Sequence, residues 1–433
     1  MPGPPLLDRL GLRTPELRSW ALYDWANSVF MTTGLQVFPI YFRTVAAADL
    51  PPAVASERFA IATSISVAIV ALLSPVLGAL ADIGARKKAM LAASAFGGAL
   101  AMGGFFLVGR GDWKAGALLF VLANVGAVAS IVFCNALLPH IARPDEVDRV
   151  STAGFAMGYV SGGLVLALNF AMIQRPELFG LGDRDSAFRV SFLIAALWWA
   201  YFTLPVLRRV PEPPRTVVPG EDLSRGPMVR AVQRLKATVV EARKHPDAVL
   251  VLLAFLVYND GINTIIRMAT IFGSDIGIPA TALIGAILMV QFVGIPCSFL
   301  FGQLAQRIGA KRAILGALVV YVGIGVLAYR MQTARDFLVL AFLVGAVMGG
   351  AQALSRSLFA SMVPKQKSAE LFGFFGIFDK FGGVMGAALF ALMLRFTGSS
   401  RPAILAIVVF FVVGALILSR VDVERGRRAA VDT

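Results

Sequence analysis

The sequence predicts an all-helical, multi-pass membrane protein in which twelve transmembrane helices form two pseudo-symmetric halves of six. Three observations support this fold class: the composition, twelve long apolar segments and an internal repeat. Of the 433 residues, 58% are apolar and 15% are charged, and the mean hydropathy is +0.76. Soluble domains average roughly 45–50% apolar and about 25% charged residues. The composition therefore nearly excludes a water-soluble enzyme.

Twelve segments are long and apolar enough to cross a bilayer, which takes roughly 20 residues of helix. The first segment is too long to be the apolar core of a cleavable signal peptide, so we retain it as a membrane span. We number the segments as spans 1 to 12, at 19–42, 58–81, 89–108, 115–139, 150–174, 188–207, 247–272, 280–303, 313–330, 336–362, 370–395 and 402–419.

The distribution of basic residues orients these spans. Lysine and arginine total 40 against 26 acidic residues, and 26 of the 40 fall in the segments on the same side as the N-terminus. Cytoplasmic loops of membrane proteins carry such an excess of lysine and arginine. We therefore predict that both termini lie in the cytoplasm. On a soluble protein the same charge would have suggested nucleic acid, a partner that we do not expect here.

A polar segment at 208–246 divides the chain into halves at 1–207 and 247–420, and a short tail follows at 421–433. The segment opens with prolines that cannot continue a helix. Further along it, Met228, Val232, Leu235 and Val239 recur at helical spacing among basic residues. This pattern predicts a basic amphipathic helix on the inner leaflet. A helix that binds a partner protein is the alternative.

An internal repeat relates the two halves. The stretch G-A-L-A-D-I-G-A-R-K at 78–87 matches G-Q-L-A-Q-R-I-G-A-K-R at 302–312, which begins 224 residues later. Weaker matches join paired glycines in spans 5 and 11, and Asp-x-x-Asn at 24–27 in span 1 with 260–263 in span 7. Two halves with the same orientation indicate a parallel repeat about an axis normal to the membrane.

The G-x-L-A-D-x-x-x-R-K loop after span 2 resembles the signature loop of the major facilitator superfamily. Ile83 and Ala85 depart from the common form in the first copy, as does Gln306 in the second. The stretches at 20–28, 258–261 and 349–357 resemble the branch related to the vacuolar amino-acid effluxer of autophagy. That resemblance implies a cavity lined by spans 1, 4, 7 and 10, export of a small solute such as a neutral amino acid, and a bacterial-type inner membrane.

Ionisable side chains fall in spans 1, 7, 10 and 11, the first three of which the resemblance places around the cavity, whereas the middles of spans 3, 6, 9 and 12 carry none. Charges inside a bilayer are costly and usually face a cavity or one another. Mixed acidic and basic groups suit a zwitterion. The candidate substrate-binding residues are Asp24, Asn27, Tyr258, Asp260, Asn263, Arg267, Gln352 and Arg356.

Proton coupling is predicted at Asp260 first and at Asp379 with Lys380 second. Asp260 lies near the middle of span 7 with no basic residue within one turn, and a buried carboxyl of that kind exchanges protons near neutral pH. Arg267 lies two turns further on, roughly 10 Å along the helix, which suits the two ends of a zwitterion. The alternative is that these charges form structural pairs between helices, in particular Asp24 with Arg356.

Gate residues are predicted in the two copies of the loop motif. Asp82 ends span 2 where the positive N-terminal end of span 11 could attract it. In the resembled superfamily this contact holds the outward-facing form. The candidate gate residues are Gly78, Asp82, Arg86, Gly302, Gly309 and Lys311.

The predicted function is secondary active transport of a small polar solute by alternating access, most simply proton-coupled efflux. A channel or a lipid- or drug-moving pathway, and a scaffold that has lost transport, are the alternatives. The sequence contains no G-x-x-x-x-G-K-[ST] loop and no H-E-x-x-H pair, so ATP-driven transport and metalloenzyme chemistry have no support. We expect no cofactor or metal, and partners limited to substrate, protons or another coupling ion, and the bilayer around a monomer.

Overall fold

The computed structural model describes residues 6–215, 226–241, 245–275, 278, 280–381 and 384–431, and in this part of the chain the regular structure is helical throughout. The N-terminal half contains span 1, which begins with the α-helix Pro15–Val29, followed by spans 2 to 6 at Pro52–Gly84, Lys87–Gly104, Trp113–Ile141, Val147–Gln174 and Arg184–Arg209.

The C-terminal half follows a linker helix at Pro227–Glu241 and ends in a tail helix at Val423–Val431. Spans 7 to 10 are single helices at Pro246–Asp275, Ala280–Ile308, Ala310–Arg330 and Ala334–Ala360. Span 11 is described in two helices, Ser368–Phe381 and Val384–Thr397, and span 12 in two others, Ser400–Ala406 and Val408–Ser419.

Ten helices of the described chain are long and apolar enough to cross a membrane. They correspond to the predicted spans other than 1 and 11. Span 1 differs because its α-helix changes at Phe30–Val37 into a π-helix, in which the backbone N–H of Phe38 bonds to the carbonyl of Thr33. Pro39 follows in the next turn and supplies no N–H donor of its own. The predicted all-helical fold class is confirmed, although span 1 is not a regular α-helix after Val29.

Aromatic packing fixes this irregular part of span 1 inside the N-terminal half. Phe38 stacks on Phe105 at a centroid distance of 3.8 Å and on Phe120 at 5.8 Å, and it meets the ring of Phe192 edge-on. These rings come from spans 1, 4 and 6 and from the turn after span 3. Buried aromatic side chains of this size contribute strongly to core stability. Packing therefore stabilises the part of span 1 after Val29 despite its π-helix.

Both described ends of the chain lie on one side of the bundle, which we call the terminal side. Arg13 forms an ion pair with Glu146 at the start of span 5, with 2.7 Å between Nε and Oε2. Burial alone would raise the pKa of Glu146, but the hydrogen bonds from Arg13 and from the Arg143 backbone hold it below its usual value. Arg425 of the tail helix pairs likewise with Asp247 at the start of span 7, at 2.6 Å.

Equivalent positions in the two copies of the loop motif have backbone conformations that favour glycine. Ala85 has φ +49° and ψ +51°, in the left-handed region, and Gly309, 224 residues later, has φ +85°. A left-handed conformation costs roughly 1–2 kcal/mol for a residue with a Cβ atom. Alanine at position 85, where the second copy has Gly309, therefore leaves strain in the first loop.

We expect Ala85→Gly to raise the thermal stability of the detergent-solubilised protein. Glycine relieves the strain but also adds entropy to the unfolded chain, so the net gain is up to about 1 kcal/mol. The matched change Gly309→Ala should lower it by about 1–3 kcal/mol, because only glycine adopts that conformation readily. Thermal unfolding of both variants measures the difference. Equal stability of the parent and Ala85→Gly would show that the loop is not strained.

Candidate functional site

A buried ion pair joins the two halves on the terminal side. Arg356 of span 10 donates from Nη2 to Oδ2 of Asp24 at 2.8 Å and from Nη1 to Oδ1 at 3.1 Å. Arg356 is only 4% exposed. A planar guanidinium matches a carboxylate through two parallel hydrogen bonds, which makes this geometry strong and specific. Two candidate substrate-binding residues are therefore paired with each other in this conformation.

The remaining donors of Arg356 are also used. Nε donates to the Ser151 hydroxyl at 2.8 Å, Nη2 to the Ser151 carbonyl at 2.8 Å, and Nη1 to Oδ1 of Asn135 at 3.3 Å. Together with Asp24, these contacts account for all five N–H groups of a guanidinium. The guanidinium also lies 4.7 Å from the ring centroid of Trp20 and 4.6 Å from that of Phe155.

Sequence reasoning missed Ser151 and Asn135 because isolated small polar residues carry no signal of their own in an apolar helix. The signal that could have found them is the need of a buried arginine for five acceptors. Spans 4 and 5 supply two of these residues, so the single Arg356 side chain connects spans 1, 4, 5 and 10.

Asp260 is fully buried in span 7 and binds the backbone of span 11. Its Oδ1 accepts a hydrogen bond from the N–H of Met385 at 3.1 Å, and its Oδ2 accepts one from the N–H of Gly386. Both residues lie in the stretch Val384–Thr397 of span 11. Hydrogen bonds from two backbone N–H groups favour the ionised form of a carboxylate.

Gly386 permits this contact because its Cα approaches span 7 closely. A Cβ atom at this position would lie 2.0 Å from the Thr264 hydroxyl and 2.8 Å from Oδ2 of Asp260. Any side chain there would force span 11 away from span 7. The sequence places no basic residue within one turn of Asp260, and in the structure the carboxylate accepts hydrogen bonds from backbone donors of a distant span.

A network of hydrogen-bonded polar side chains links spans 7, 10 and 11. Gln352 donates to Asn259 at 3.2 Å, and Asn259 donates in turn to Oδ1 of Asp379 at 3.3 Å. Next to it, the hydroxyl groups of Tyr258 and Ser355 are hydrogen-bonded. Asn259 was not among the predicted site residues, although it lies between two of them in sequence. The structure thus brings Tyr258, Gln352 and Asp379 into one neighbourhood.

The other predicted substrate-binding residues have different surroundings. Asn27 is buried within the N-terminal half, where it donates to the Ala127 carbonyl and the Ser130 hydroxyl of span 4, each at 3.4 Å. Asn263 is half-buried on span 7. The side chains of Arg267 and Lys380 lie outside the part of the chain that the structure describes.

Asp82 ends span 2 against the start of span 11. Its Oδ2 accepts a hydrogen bond from the N–H of Glu370 at 2.9 Å, and its Oδ1 lies 2.6 Å from Nζ of Lys87. Arg86, another predicted gate residue, is an exposed residue at the start of span 3. Lys311 instead binds within the C-terminal half, where it donates to the carbonyls of Ser419 and Val421, each at 2.7 Å.

Glycines let the halves touch along this side. A Cβ atom on Gly78 would lie 2.2 Å from the Ala369 carbonyl oxygen, and one on Gly302 would lie 2.2 Å from the Thr152 hydroxyl. Small residues at such crossings allow two helix backbones to approach closely in a membrane. The contact of span 2 with span 11, and that of span 8 with span 5, therefore join the halves around the buried ion pair.

We expect Asp82→Asn to slow transport several-fold without loss of ligand binding. The variant keeps the side-chain shape but loses the charge that faces the N-terminal end of span 11 and pairs with the buried Lys87, a combined loss of about 3 kcal/mol. Initial rates of solute exchange in proteoliposomes measure the effect, with the exposed Asp145→Asn as the control. Loss of ligand-induced thermal stabilisation in Asp82→Asn would place this residue in the binding site instead.

Two halves of six helices, joined on one side by a buried ion pair and two close helix crossings, are the architecture of a major facilitator transporter. Solved structures share this fold: the proton:xylose symporter XylE bound to 6-bromo-6-deoxy-D-glucose superimposes with a TM-score of 0.69 at 15% identity, over 96% of this chain and 95% of that one. A bacterial homologue of the iron transporter ferroportin in an outward-facing state superimposes with a TM-score of 0.64 at 15% identity, over 96% of this chain and 99% of that one.

The chain belongs to the Atg22-like family, because the family model described as vacuole effluxer Atg22 like matches residues 50–431. An uncharacterized MFS-type transporter of Bacillus subtilis (strain 168), YxiO, is 34% identical over 414 residues, which cover 95% of this chain and 96% of the relative. Autophagy-related protein 22-1 of Penicillium rubens is 26% identical over 462 residues, with coverages of 87% and 77%. The protein is thus a multi-pass membrane transporter of the major facilitator type.

Proposed function

We propose that this transporter exports a small zwitterionic solute, such as a neutral amino acid, by proton-coupled alternating access. The observation that carries the proposal is the Asp24–Arg356 pair, in which all five guanidinium donors are used between the halves. A pathway closed by so specific a pair on one side must break that pair to open there. A channel has no need of such a device.

The terminal side is proposed to be cytoplasmic, in a bacterial-type inner membrane, so this conformation is closed toward the cytoplasm. The basic residues concentrated on that side support this orientation. The loop pairs and linker then lie in the cytoplasm, and the protein acts as a monomer. Membership of a family described as vacuole effluxers supports export as the direction.

The polar side chains between spans 7, 10 and 11 support a zwitterion as the substrate. Gln352 and Asn259 each supply a donor and an acceptor, and Asp379 supplies a carboxylate. When the halves separate, the ion pair between Asp24 and Arg356 breaks, and each side chain needs a new partner. An ammonium group suits a carboxylate and a carboxylate group suits a guanidinium, so a zwitterion replaces both halves of the broken pair.

Asp260 is proposed to couple proton movement to this exchange. An ionised carboxylate accepts the hydrogen bonds from the N–H groups of Met385 and Gly386 in span 11 more strongly than a neutral carboxyl group does, because a charged acceptor strengthens a hydrogen bond. Protonation of Asp260 weakens that attachment and frees the helix to shift. A proton taken up or released at Asp260 is thereby linked to the position of span 11.

The test has two stages. Purified protein is first screened by thermal shift against amino acids, dipeptides, sugars and drugs, because any ligand that prefers the native state raises its apparent stability. A stabilising compound is then followed as radiolabelled solute in proteoliposomes. Saturable counterflow that responds to an imposed pH gradient supports the proposal. Non-saturable flux would favour a channel, and binding without flux would favour a scaffold.

A further inference from the structure

An apolar groove runs along the C-terminal half beside the second loop motif. It has a volume of about 390 Å³ and lies between spans 8, 9 and 10. Its walls are apolar except at the terminal end, where the side chain of Arg312 completes the lining. Leu300 and Leu304 on the wall are 58% and 39% exposed. The groove is therefore apolar along its length, and Arg312, an exposed residue of span 9, lies at its terminal end.

The corresponding surface of the N-terminal half is covered by the chain itself. Leu80, 224 residues before Leu304, packs with Ala79 and Ile83 against Ala231 and Leu235 of the linker helix. No described helix occupies the equivalent place on span 8, where Leu304 is exposed in the groove. The same position in the repeat is thus covered in one half and open in the other.

The two loop motifs also differ in the partners of their charged side chains. In the first copy, Asp82 neutralises Lys87 at 2.6 Å. In the second copy, Gln306 replaces the aspartate, and Lys311 is directed to the carbonyls at the end of span 12. Among the residues that the structure describes, neither Arg307 nor Arg312 has a carboxylate partner. Within the described part of the chain, therefore, no carboxylate neutralises Arg312 at the end of the groove.

We infer that the groove binds a phospholipid with an anionic head group from the leaflet on the terminal side. One acyl chain fills the apolar body between spans 8, 9 and 10, and the head-group phosphate accepts hydrogen bonds from the Arg312 guanidinium. Basic pockets between transmembrane helices at this level of a membrane are suited to anionic head groups. A guanidinium also binds phosphate through two parallel hydrogen bonds.

The test uses two variants that alter separate parts of the groove. Arg312→Ala removes the cation, and Gly316→Leu fills the apolar body, where a Cβ atom on Gly316 would meet no atom within 4 Å. The control is Lys88→Ala, which removes the cation at the equivalent position of the first motif, beside the covered surface. Size-exclusion chromatography and thermal unfolding establish that each variant folds.

Binding of dioleoylphosphatidylglycerol and dioleoylphosphatidylcholine is measured by native mass spectrometry of protein in a non-ionic detergent. We expect the parent and Lys88→Ala to prefer the anionic lipid by about tenfold, because the choline cation of phosphatidylcholine is repelled by Arg312 and offsets the attraction of its phosphate. Arg312→Ala should bind both lipids equally, and Gly316→Leu should bind both weakly.

An unchanged preference for phosphatidylglycerol in Arg312→Ala would overturn the assignment of the head group. Undiminished binding of both lipids in Gly316→Leu would overturn the assignment of the groove. A concentration-dependent dimer that Gly316→Leu abolishes would assign the same surface to a second copy of the chain. These readouts measure lipid and oligomeric state only, so they are independent of the proposed transport activity.

Discussion

Replacement of Arg356 by alanine is expected to destabilise the protein by about 3–5 kcal/mol and to abolish transport. The change leaves the Asp24 carboxylate without its bidentate partner and removes the donors bound by Ser151 and Asn135. Removal of one member of a buried pair carries a cost of this size, because the remaining Asp24 carboxylate is only 14% exposed. Thermal unfolding and solute exchange in proteoliposomes measure the two effects.

Arg356→Lys tests whether a positive charge at this position is sufficient or whether the planar guanidinium is also required. An ammonium retains the positive charge but offers three donors in place of five and no planar fork. We expect Arg356→Lys to recover most of the stability and less than about a tenth of the exchange rate. The exposed Arg330→Lys serves as the control for the same substitution elsewhere. Full activity of Arg356→Lys would show that bidentate pairing with Asp24 is not required.

The neutral double variant Asp24→Asn with Arg356→Gln completes a double-mutant cycle. If the pair acts as a unit, the double variant is more stable than the sum of the single changes predicts, by about 1–3 kcal/mol. Additive effects would mean that Asp24 and Arg356 act independently, and the proposed closure of the terminal side would lose its main support.

Asp260→Asn is expected to abolish solute accumulation while exchange continues. The amide keeps the side-chain shape but does not ionise, so the hydrogen bonds from Met385 and Gly386 lose their charged acceptor. A stability loss of about 1–2 kcal/mol is expected from the lost charge. In proteoliposomes the variant should bind and exchange solute at near-parental rates but fail to concentrate it under an imposed pH gradient.

The matched control is Asp379→Asn, the second predicted coupling residue, whose carboxylate accepts a hydrogen bond from Asn259. If Asp260→Asn accumulates solute as steeply as the parent and Asp379→Asn does not, the coupling site is Asp379. If Asp260→Asn loses all ligand binding, this carboxylate contacts the substrate, most simply its ammonium group. Gly386→Ala offers an independent check, because it displaces the helix without altering a titratable group.

Hydropathy and the repeat predict most of the fold because a bilayer admits few ways to satisfy the backbone. The π-helix at Phe30–Val37 could not be predicted, since it depends on packing of Phe38 against rings from three other parts of the N-terminal half. Composition and length determine where a span lies, whereas side-chain packing determines whether it remains a regular α-helix.

The candidate site was predictable to different degrees. The pairing of Asp24 with Arg356 was anticipated because both lie at a similar depth in spans that the resemblance places around one cavity. The contact of Asp260 with Met385 and Gly386 was not, because its donors are backbone N–H groups more than 120 residues away, and backbone donors leave no mark in a sequence. Side-chain charges reveal a site only when their partners are also side chains.

Alternating access on the terminal side is tested most directly by the distance between the halves there. Spin labels at Asp145→Cys and Lys365→Cys, both exposed on that side, report it by double electron–electron resonance after replacement of Cys134 and Cys297 by serine. We predict a short distance in the parent and a second, longer population in the Asp24→Asn, Arg356→Gln variant, because loss of the pair shifts the equilibrium toward the open form. A single short distance in both proteins would contradict the account.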